Sequence, residues 1–184
     1  MRSFLVSALL SSALLFIGGP AFAGTLAGVT LPDSATVGGK ALVLNGMGLR
    51  EKYMLDIYVG GLYLPTKTTD ASKAINDDVP KRIVMHMVRG LSKDQLSETM
   101  MESLNAASQP AGRAAAPTLA GWMEDVDSGE QIVLDYVPGT GCTVTVDGRK
   151  KGTIPGVDVM QALWGVYLGP KPPTSALKKG LLGT

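Results

Sequence analysis

Residues 45–64 have the sequence NGMGLREKYMLDIYVGGLYL, and they join the two strongest strand patterns in the chain. The segments 41–49 and 53–64 are rich in β-branched, aromatic and aliphatic residues, which predicts two neighbouring strands. In the second strand the alternation places Ile57 with Val59 on one face and Tyr58 with Leu62 on the other. A strand that is apolar on both faces belongs in the middle of a sheet that is covered twice.

The remaining segments predict an α+β domain in which helices follow the central strands. Ser92 and Gln95 form a capping-box pattern at the start of a helix, and Asp147-Gly148 is typical of a hairpin turn. Further strands are predicted at 29–31, 82–88, 131–137 and 143–146, and helices at 69–76, after Ser92, between Pro110 and Trp122, from 157 to Leu168, and at 174–179. This order predicts a large antiparallel sheet with helices packed on one face.

The first 23 residues have the pattern of a secretion signal. Arg2 precedes an apolar run at 4–17, and Ala21-Phe22-Ala23 is the small-x-small pattern that a signal peptidase cleaves. A transmembrane anchor is the alternative, but it needs about 20 apolar residues and this run is shorter. We therefore expect cleavage after Ala23, a single domain at 24–184, a periplasmic or secreted location, and no stable membrane span in the mature protein.

Charge and residue counts exclude several classes of function. Without Arg2 the basic and acidic residues balance at 16 each, so there is no electrostatic case for a nucleic-acid partner. His86 is the only histidine and Cys142 the only cysteine, which excludes a multi-histidine metal site or tetrahedral zinc. No dinucleotide or P-loop motif is present, so we predict no metal and no cofactor. We expect His86 to be packed with one hydrogen bond, and Cys142 to be buried in a strand.

Arg50 and Tyr58 are the residues whose chemistry points to a ligand. An arginine side chain offers a planar fork of donors that matches a carboxylate or an enolate-like oxygen, and a tyrosine adds a neutral donor. The glycines at 46, 48, 60 and 61 predict room for a ligand to lie against the backbone. The alternative is that Arg50 is a surface arginine at a β-turn and Tyr58 is a core residue.

Five segments together resemble the chalcone-isomerase-like family. They are GMGLR at 46–50, IYVGGLYL at 57–64, LSKDQLSE at 91–98, LDYVPG at 134–139 and ALWGVYLG at 162–169. The resemblance implies an open-faced β-sandwich, a large antiparallel sheet with helices on one side and a cleft between them.

The resemblance to the plant isomerases of this family is incomplete at the catalytic positions. Arg50 aligns with the catalytic arginine of the plant isomerases, but Tyr58 stands where they have a threonine on the next strand. Leu96 stands where they have a helix tyrosine, and Ser103 where they have its asparagine partner. Met160 lies near the position of a serine or threonine on their late helix. A leucine cannot position a water molecule or donate to a carbonyl, so most of the polar partners needed for catalysis are missing.

The fatty-acid-binding relatives of the family are similar in another way. They pair an arginine with a tyrosine on the following strand to hold a carboxylate, as Arg50 and Tyr58 could. The resemblance implies that an apolar cleft surrounds this pair, with a lining that includes Leu96, Met100, Ser103, Met160 and Leu163.

Three functions follow from these observations. The first is a non-catalytic binder of a fatty-acid-like or other small apolar carboxylate. The second is an intramolecular lyase or isomerase acting on a phenolic or enone substrate, with Arg50 as the catalytic candidate. The third is a structural or interaction domain in which Arg50 is tied to a local carboxylate such as Glu51 or Asp56. The sequence identifies no protein partner.

Overall fold

The computed structural model describes residues 22–106 and 109–184, which form strands and helices in the predicted order. The strands are β1 (Phe22–Leu26), β2 (Val29–Pro32), β3 (Ser34–Val37), β4 (Lys40–Lys52), β5 (Leu55–Leu64), β6 (Lys81–Met87), β7 (Gln131–Val137), β8 (Gly141–Val146) and β9 (Arg149–Ile154). The helices are α1 (Ala71–Asn76), α2 (Lys93–Ala106), α3 (Pro110–Gly121), α4 (Val157–Leu168) and α5 (Ser175–Leu182).

Strands β3 to β9 form one antiparallel sheet in which each strand pairs with the next along the chain, and β1 and β2 form a separate hairpin. Helix α1 connects β5 to β6, helices α2 and α3 connect β6 to β7, and α4 and α5 follow the last strand. The helices pack on one face of the sheet, so the predicted α+β open-faced β-sandwich is confirmed.

Two hydrophobic cores lie on opposite faces of the sheet. The larger core packs Leu62 and Ile83 of the strands against Trp164 of α4. On the other face, Val59 and Tyr63 pack with residues of β2, β3 and β4, and the Tyr63 hydroxyl donates a hydrogen bond of 3.0 Å to the carbonyl of Pro32. Strand β5 is therefore apolar on both faces because each face meets a core, as the sequence predicted.

An irregularity in the pairing of β4 with β5 corrects two predictions. Arg50 pairs with Tyr58 and Glu51 with Asp56, so Ile57 is the extra residue of a β-bulge. Ile57 consequently packs into the same core as Tyr58, and its predicted position on the face of Val59 is wrong. The turn lies at Tyr53-Met54, so Arg50 lies inside β4 and the predicted strand start at Tyr53 is also wrong.

Gly46, Gly48 and Gly60 make room for a helix, whereas a Cβ atom at Gly61 would meet the side chain of Leu31 on the other face of the sheet. A Cβ atom at Gly46 would collide with the backbone carbonyl of Gly180, and one at Gly48 with that of Leu177. At Gly60 a Cβ would lie 2.9 Å from a methyl group of Leu177. Helix α5 therefore packs directly against the backbone of the sheet, and the interpretation of these glycines as space for a ligand is wrong.

The start of α2 and the environments of His86 and Cys142 agree with the sequence predictions. The backbone amide of Ser92 donates to Oε1 of Gln95 at 3.0 Å, and the Gln95 amide donates to the Ser92 hydroxyl at 3.3 Å, which is the predicted capping box. His86 is half-buried and lies 3.1 Å from the side-chain nitrogen of Gln131, as predicted. Cys142 is buried and unpaired in β8, also as predicted.

The predicted secretion signal lies almost entirely outside the described residues. Strand β1 begins at Phe22, so the predicted cleavage point after Ala23 falls within it, and Gly24 is the residue that pairs with Leu31. Cleavage and location therefore remain predictions. From residue 22 onward, in the described ranges, no helix is long and apolar enough to cross a membrane.

Candidate functional site

Arg50 and Tyr58 are held side by side by the pairing of β4 with β5. Directly paired residues in an antiparallel sheet project from the same face, and this face carries the helices. The guanidinium carbon of Arg50 lies 5.5 Å from the centre of the Tyr58 ring, within the range of a cation–π contact. The bulge at Ile57 re-aims this end of β5, as bulges at functional positions often do.

Within residues 22–106 and 109–184, no ion pair joins Arg50 to a carboxylate. The ion pairs in these ranges include those of Arg82 with Asp135 and of Arg149 and Lys151 with acidic neighbours. Neither Glu51 nor Asp56 forms an ion pair with Arg50, although both flank it on the hairpin. The predicted local tie that would make Arg50 purely structural is therefore absent from the described residues.

The hydroxyl groups beside Arg50 remain protonated. Burial raises the pKa of Tyr58 to about 12, and the adjacent charge of Arg50 only partly opposes this rise. Burial also raises the pKa of Tyr167 on α4, and the proximity of Tyr58 raises it further. The Tyr167 hydroxyl donates to the sulfur of Met85 at 3.2 Å, which is a weak acceptor. Two neutral donors and one cation therefore converge between the sheet and the helices.

These three side chains line a small, mostly apolar cavity beneath α2. Its volume is about 40 Å³, far below the roughly 300–1,000 Å³ of a pocket that holds a drug-sized ligand. The lining also contains four methionines, two leucines, an isoleucine and a threonine, which are Met85, Met87, Met100, Met123, Leu91, Leu96, Ile132 and Thr99.

A larger groove lies outside this cavity and shares part of its lining. The groove has a volume of about 410 Å³ and also contains Arg50, Leu91 and Thr99. The end of the β4–β5 hairpin forms one wall, and residues 89–91 with the first turns of α2 form the other. Arg50 therefore stands between a small apolar cavity and a larger groove.

The structure brings together four of the predicted site residues and separates three others. Arg50, Tyr58, Leu96 and Met100 line the same cavity. Ser103 lies two turns further along α2 and lines a different groove, of about 590 Å³, between α1, α2 and α4. Met160 and Leu163 are almost completely buried in the larger core, and neither lines the cavity at Arg50.

Tyr167 and three of the methionines were missed as site residues by the sequence analysis. Tyr167 stands in the segment ALWGVYLG, whose aromatic residues indicated only an amphipathic helix. Met85 and Met87 alternate along β6 on the face that carries the helices, and this spacing alone could have placed them beside Tyr58. Met123 follows α3 in an irregular segment, where no periodicity indicates its direction.

The polar groups that line this cavity are of the kind that bind an oxyanion. Arg50 supplies a delocalised positive charge, and Tyr58 and Tyr167 supply neutral hydroxyl donors. The lining of the inner cavity has no Asp, Glu or His among the described residues. His86 projects from the opposite face of β6, and burial lowers its pKa. In the described ranges no three Asp, Glu, His or Cys side chains are grouped as a metal ion would require.

This architecture, an antiparallel sheet with helices packed on one face, defines an open-faced β-sandwich. The family model described as chalcone isomerase-like matches residues 23–183, and the chain belongs to that family. The predicted family membership is thus confirmed.

Among solved structures, the chain is similar to a fatty-acid binding protein from Arabidopsis thaliana. The two share 18% sequence identity with a TM-score of 0.68, over 84% of this chain and 92% of the plant protein. This likeness confirms the fold. No curated relative matches the sequence significantly.

Proposed function

We propose that this protein binds a fatty-acid-like or other small apolar carboxylate between the sheet and the helices, without transforming it. The observation that carries the proposal is the Arg50–Tyr58 pair, a cation and a neutral donor at the edge of an apolar cavity. Arg50 forms no ion pair with an acidic residue in the part of the chain that the structure describes. The fatty-acid binding described for the structurally similar plant protein supports the same class of ligand.

The carboxylate head is assigned to Arg50, with Tyr58 and Tyr167 as further donors. A charge-assisted hydrogen bond of this kind contributes about 1.5–3 kcal/mol. Each methylene of the chain that is buried contributes about 0.8 kcal/mol. Arg50 therefore sets the orientation and selectivity of binding, and the apolar chain provides most of the affinity.

The chain of the ligand is assigned to the methionine-lined side of the cavity. A cavity of about 40 Å³ cannot hold an alkyl chain without rearrangement. Methionine is unbranched and has three rotatable bonds, so it repacks around inserted groups more readily than other apolar residues. Four methionines around one small cavity therefore support a site that enlarges when the ligand enters from the outer groove.

A binder explains the site better than an isomerase does. Proton transfer needs a group whose pKa lies near the working pH, whereas Tyr58 has a pKa of about 12 and keeps its proton. Leu96 stands where the resemblance to plant isomerases implies a tyrosine, and Ser103 is not part of this cavity. We also propose that the mature protein acts in the periplasm or outside the cell, after removal of residues 1–23.

Native mass spectrometry of the protein purified from periplasm tests the proposal. We expect a co-purifying carboxylic acid in the wild type, or one that binds when laurate or palmitate is added. Arg50→Ala should lose this mass shift, and Arg89→Ala should keep it because Arg89 lines only the outer groove. A wild-type mass that stays unliganded after fatty acids are added would contradict the proposal. Turnover of a chalcone that depends on Arg50 would instead support the isomerase.

A further inference from the structure

The tip of the β4–β5 hairpin exposes three consecutive large apolar side chains. Tyr53 is 86% exposed, Met54 is 96% exposed and Leu55 is 43% exposed. Among the described residues only Val43 and Val157 are comparable, and each stands without an exposed apolar neighbour in sequence. A single exposed apolar residue needs no explanation, whereas three together mark a contact surface.

The two residues at the turn of this tip are also unfavourable for its backbone conformation. Four hairpins among the described residues have two-residue turns in which both central residues have positive φ, at 27–28, 38–39, 53–54 and 147–148. Three of these turns place glycine at the second position, as this turn type favours. The turn at 53–54 instead has Tyr53 at φ 54° and Met54 at φ 63°. This turn type favours Asn-Gly, yet positions 53 and 54 have large side chains. The unfavourable residues indicate that the side chains themselves have a role.

The tip forms the mouth of the groove that leads to Arg50. Tyr53 and Leu55 line this groove together with Arg50. Arg50 lies three residues before Tyr53 along an extended strand, a distance of about 10 Å at 3.3 Å per residue. If the tip is inserted into another surface, the opening of the groove therefore lies where that surface meets water.

We propose that the hairpin tip Tyr53-Met54-Leu55 inserts into the interface of a phospholipid bilayer, from which the ligand enters the groove. A second copy of the chain fits the tip poorly, because a stable dimer needs about 800 Å² from each partner and three residues at a turn provide far less. A bilayer needs no matching shape. Tyrosine is typical of the membrane–water interface, and Lys52, whose Nζ lies 5.6 Å from the Tyr53 ring, can keep its charge in water.

The contact is driven by apolar side chains and not by net charge. Glu51 and Asp56 flank the tip together with Lys52, and Arg89 and Glu98 line the groove behind it. Acidic and basic groups are thus mixed around the tip, and the described residues form no basic patch there. Binding is therefore expected to vesicles of phosphatidylcholine alone, with little change when a fifth of the lipid is phosphatidylglycerol. This proposal rests on the proposed function only for the identity of the ligand that enters the groove.

The test compares the wild type with Tyr53→Asn/Met54→Gly, which removes the apolar tip and installs the preferred turn residues. Because this turn is favourable, the variant should melt at a temperature equal to or above that of the wild type. We expect wild-type protein to co-float with phosphatidylcholine vesicles and the variant to lose at least ten-fold in partitioning. Val157→Ser, which removes an exposed apolar residue far along the chain, should partition as the wild type does.

A second measurement separates this proposal from the proposed function. Affinity for laurate in vesicle-free solution is compared between the wild type and Met54→Gly, because Met54 lines neither the cavity nor the groove. It should be the same in both, whereas transfer of a fluorescent fatty acid from vesicles should slow in Met54→Gly and by at least ten-fold in the double variant. Equal vesicle partitioning of the wild type and the double variant, or none by the wild type, would overturn the tip proposal whatever the laurate result. Vesicle binding without laurate binding would overturn the proposed ligand and leave the membrane contact standing.

Discussion

The guanidinium of Arg50 lies over the ring of Tyr58, 5.5 Å from its centre, because the two residues are directly paired across β4 and β5. The pair faces the helices and borders a cavity lined by four methionines. This relationship fixes a positive charge beside a buried hydroxyl that burial keeps protonated. The first two predictions test the two parts of that site, its charged end and its apolar lining.

Arg50→Ala should weaken the binding of laurate by about 10- to 100-fold, since a charge-assisted hydrogen bond contributes about 1.5–3 kcal/mol. Arg50→Lys should recover only part of this loss, because an ammonium group cannot form the two parallel hydrogen bonds of the guanidinium. Isothermal titration calorimetry measures both variants. A neutral analogue, lauryl alcohol, serves as the control and should bind the wild type and Arg50→Ala alike. Undiminished laurate binding by Arg50→Ala would place the carboxylate elsewhere.

Met100→Ala should shift the preferred ligand to a longer chain by enlarging the cavity at Arg50. Met101→Ala is the matched control, because Met101 is half-buried on the same helix and packs against the core without lining the cavity. Both variants should lose stability by at most the 2–5 kcal/mol typical of a buried methionine. Affinities for fatty acids of 8 to 16 carbons measure the effect. An unchanged chain-length profile in Met100→Ala would place the chain in the outer groove instead.

Gly48→Ala should destabilise the protein by about 1–3 kcal/mol or more, because the added methyl group would meet the backbone of Leu177 and displace α5. Gly165→Ala in α4 should do the opposite. Apart from its chain neighbours and the backbone of its own helix, no described atom lies within 4 Å of a Cβ at this position, and alanine stabilises a helix interior by about 0.5–1 kcal/mol over glycine. Urea unfolding measures both changes. Destabilisation of equal size in the two variants would show that close packing of α5 is not the reason for Gly48.

Lys81 should make the free energy of unfolding rise with pH from about pH 8. Its Nζ donates to the carbonyls of Ala74 and Ile75 at 2.8 and 3.4 Å, and burial lowers its pKa from 10.5 to about 8. Above pH 8 the folded protein loses this proton while the unfolded chain keeps it, so raising the pH favours folding until about pH 10.5. Above pH 9 the burial of the Cys142 thiol, which raises its pKa to about 12, acts in the opposite direction.

The measurement for Lys81 is the slope of unfolding free energy between pH 8 and 9, compared with that of Lys81→Met. The wild type should become more stable across this interval relative to the variant. The slope is the informative quantity, because the substitution also removes the hydrogen bonds to α1. Parallel pH profiles of the two proteins would show that Lys81 keeps its ordinary pKa in the folded state.

Alternation and turn residues were sufficient to predict much of the sheet. The apolar pattern of 53–64 placed β5 in the centre of the sheet, and Asp147-Gly148 marked a hairpin that the structure contains. The capping pattern of Ser92 and Gln95 marked the start of α2. These signals are local, since a turn or a strand face is decided by residues that are neighbours along the chain.

Of the residues that line the cavity at Arg50, the residue types predicted Arg50 and Tyr58 on β4 and β5, and the family resemblance implied Leu96 and Met100 on α2. Arg50 and Tyr58 were found because they stand within eight residues of each other on paired strands. Tyr167 joins them from α4, more than a hundred residues away, and no local pattern indicates that contact. The reverse error was made for Met160 and Leu163, which share the helix with Tyr167 but point into the core.

By itself the sequence determined the family, the central strands and the chemistry of the arginine–tyrosine pair, because these depend on residue type and near neighbours. Only the tertiary structure decided what surrounds the pair. The bulge at Ile57 turns that side chain onto the face of Tyr58, and the docking of α5 occupies the space beside Gly46 and Gly48. The alternation of apolar residues does not reveal the bulge, because the register of the two strands is set by their pairing. The docking of α5 depends on contacts between segments more than a hundred residues apart, which no local pattern indicates.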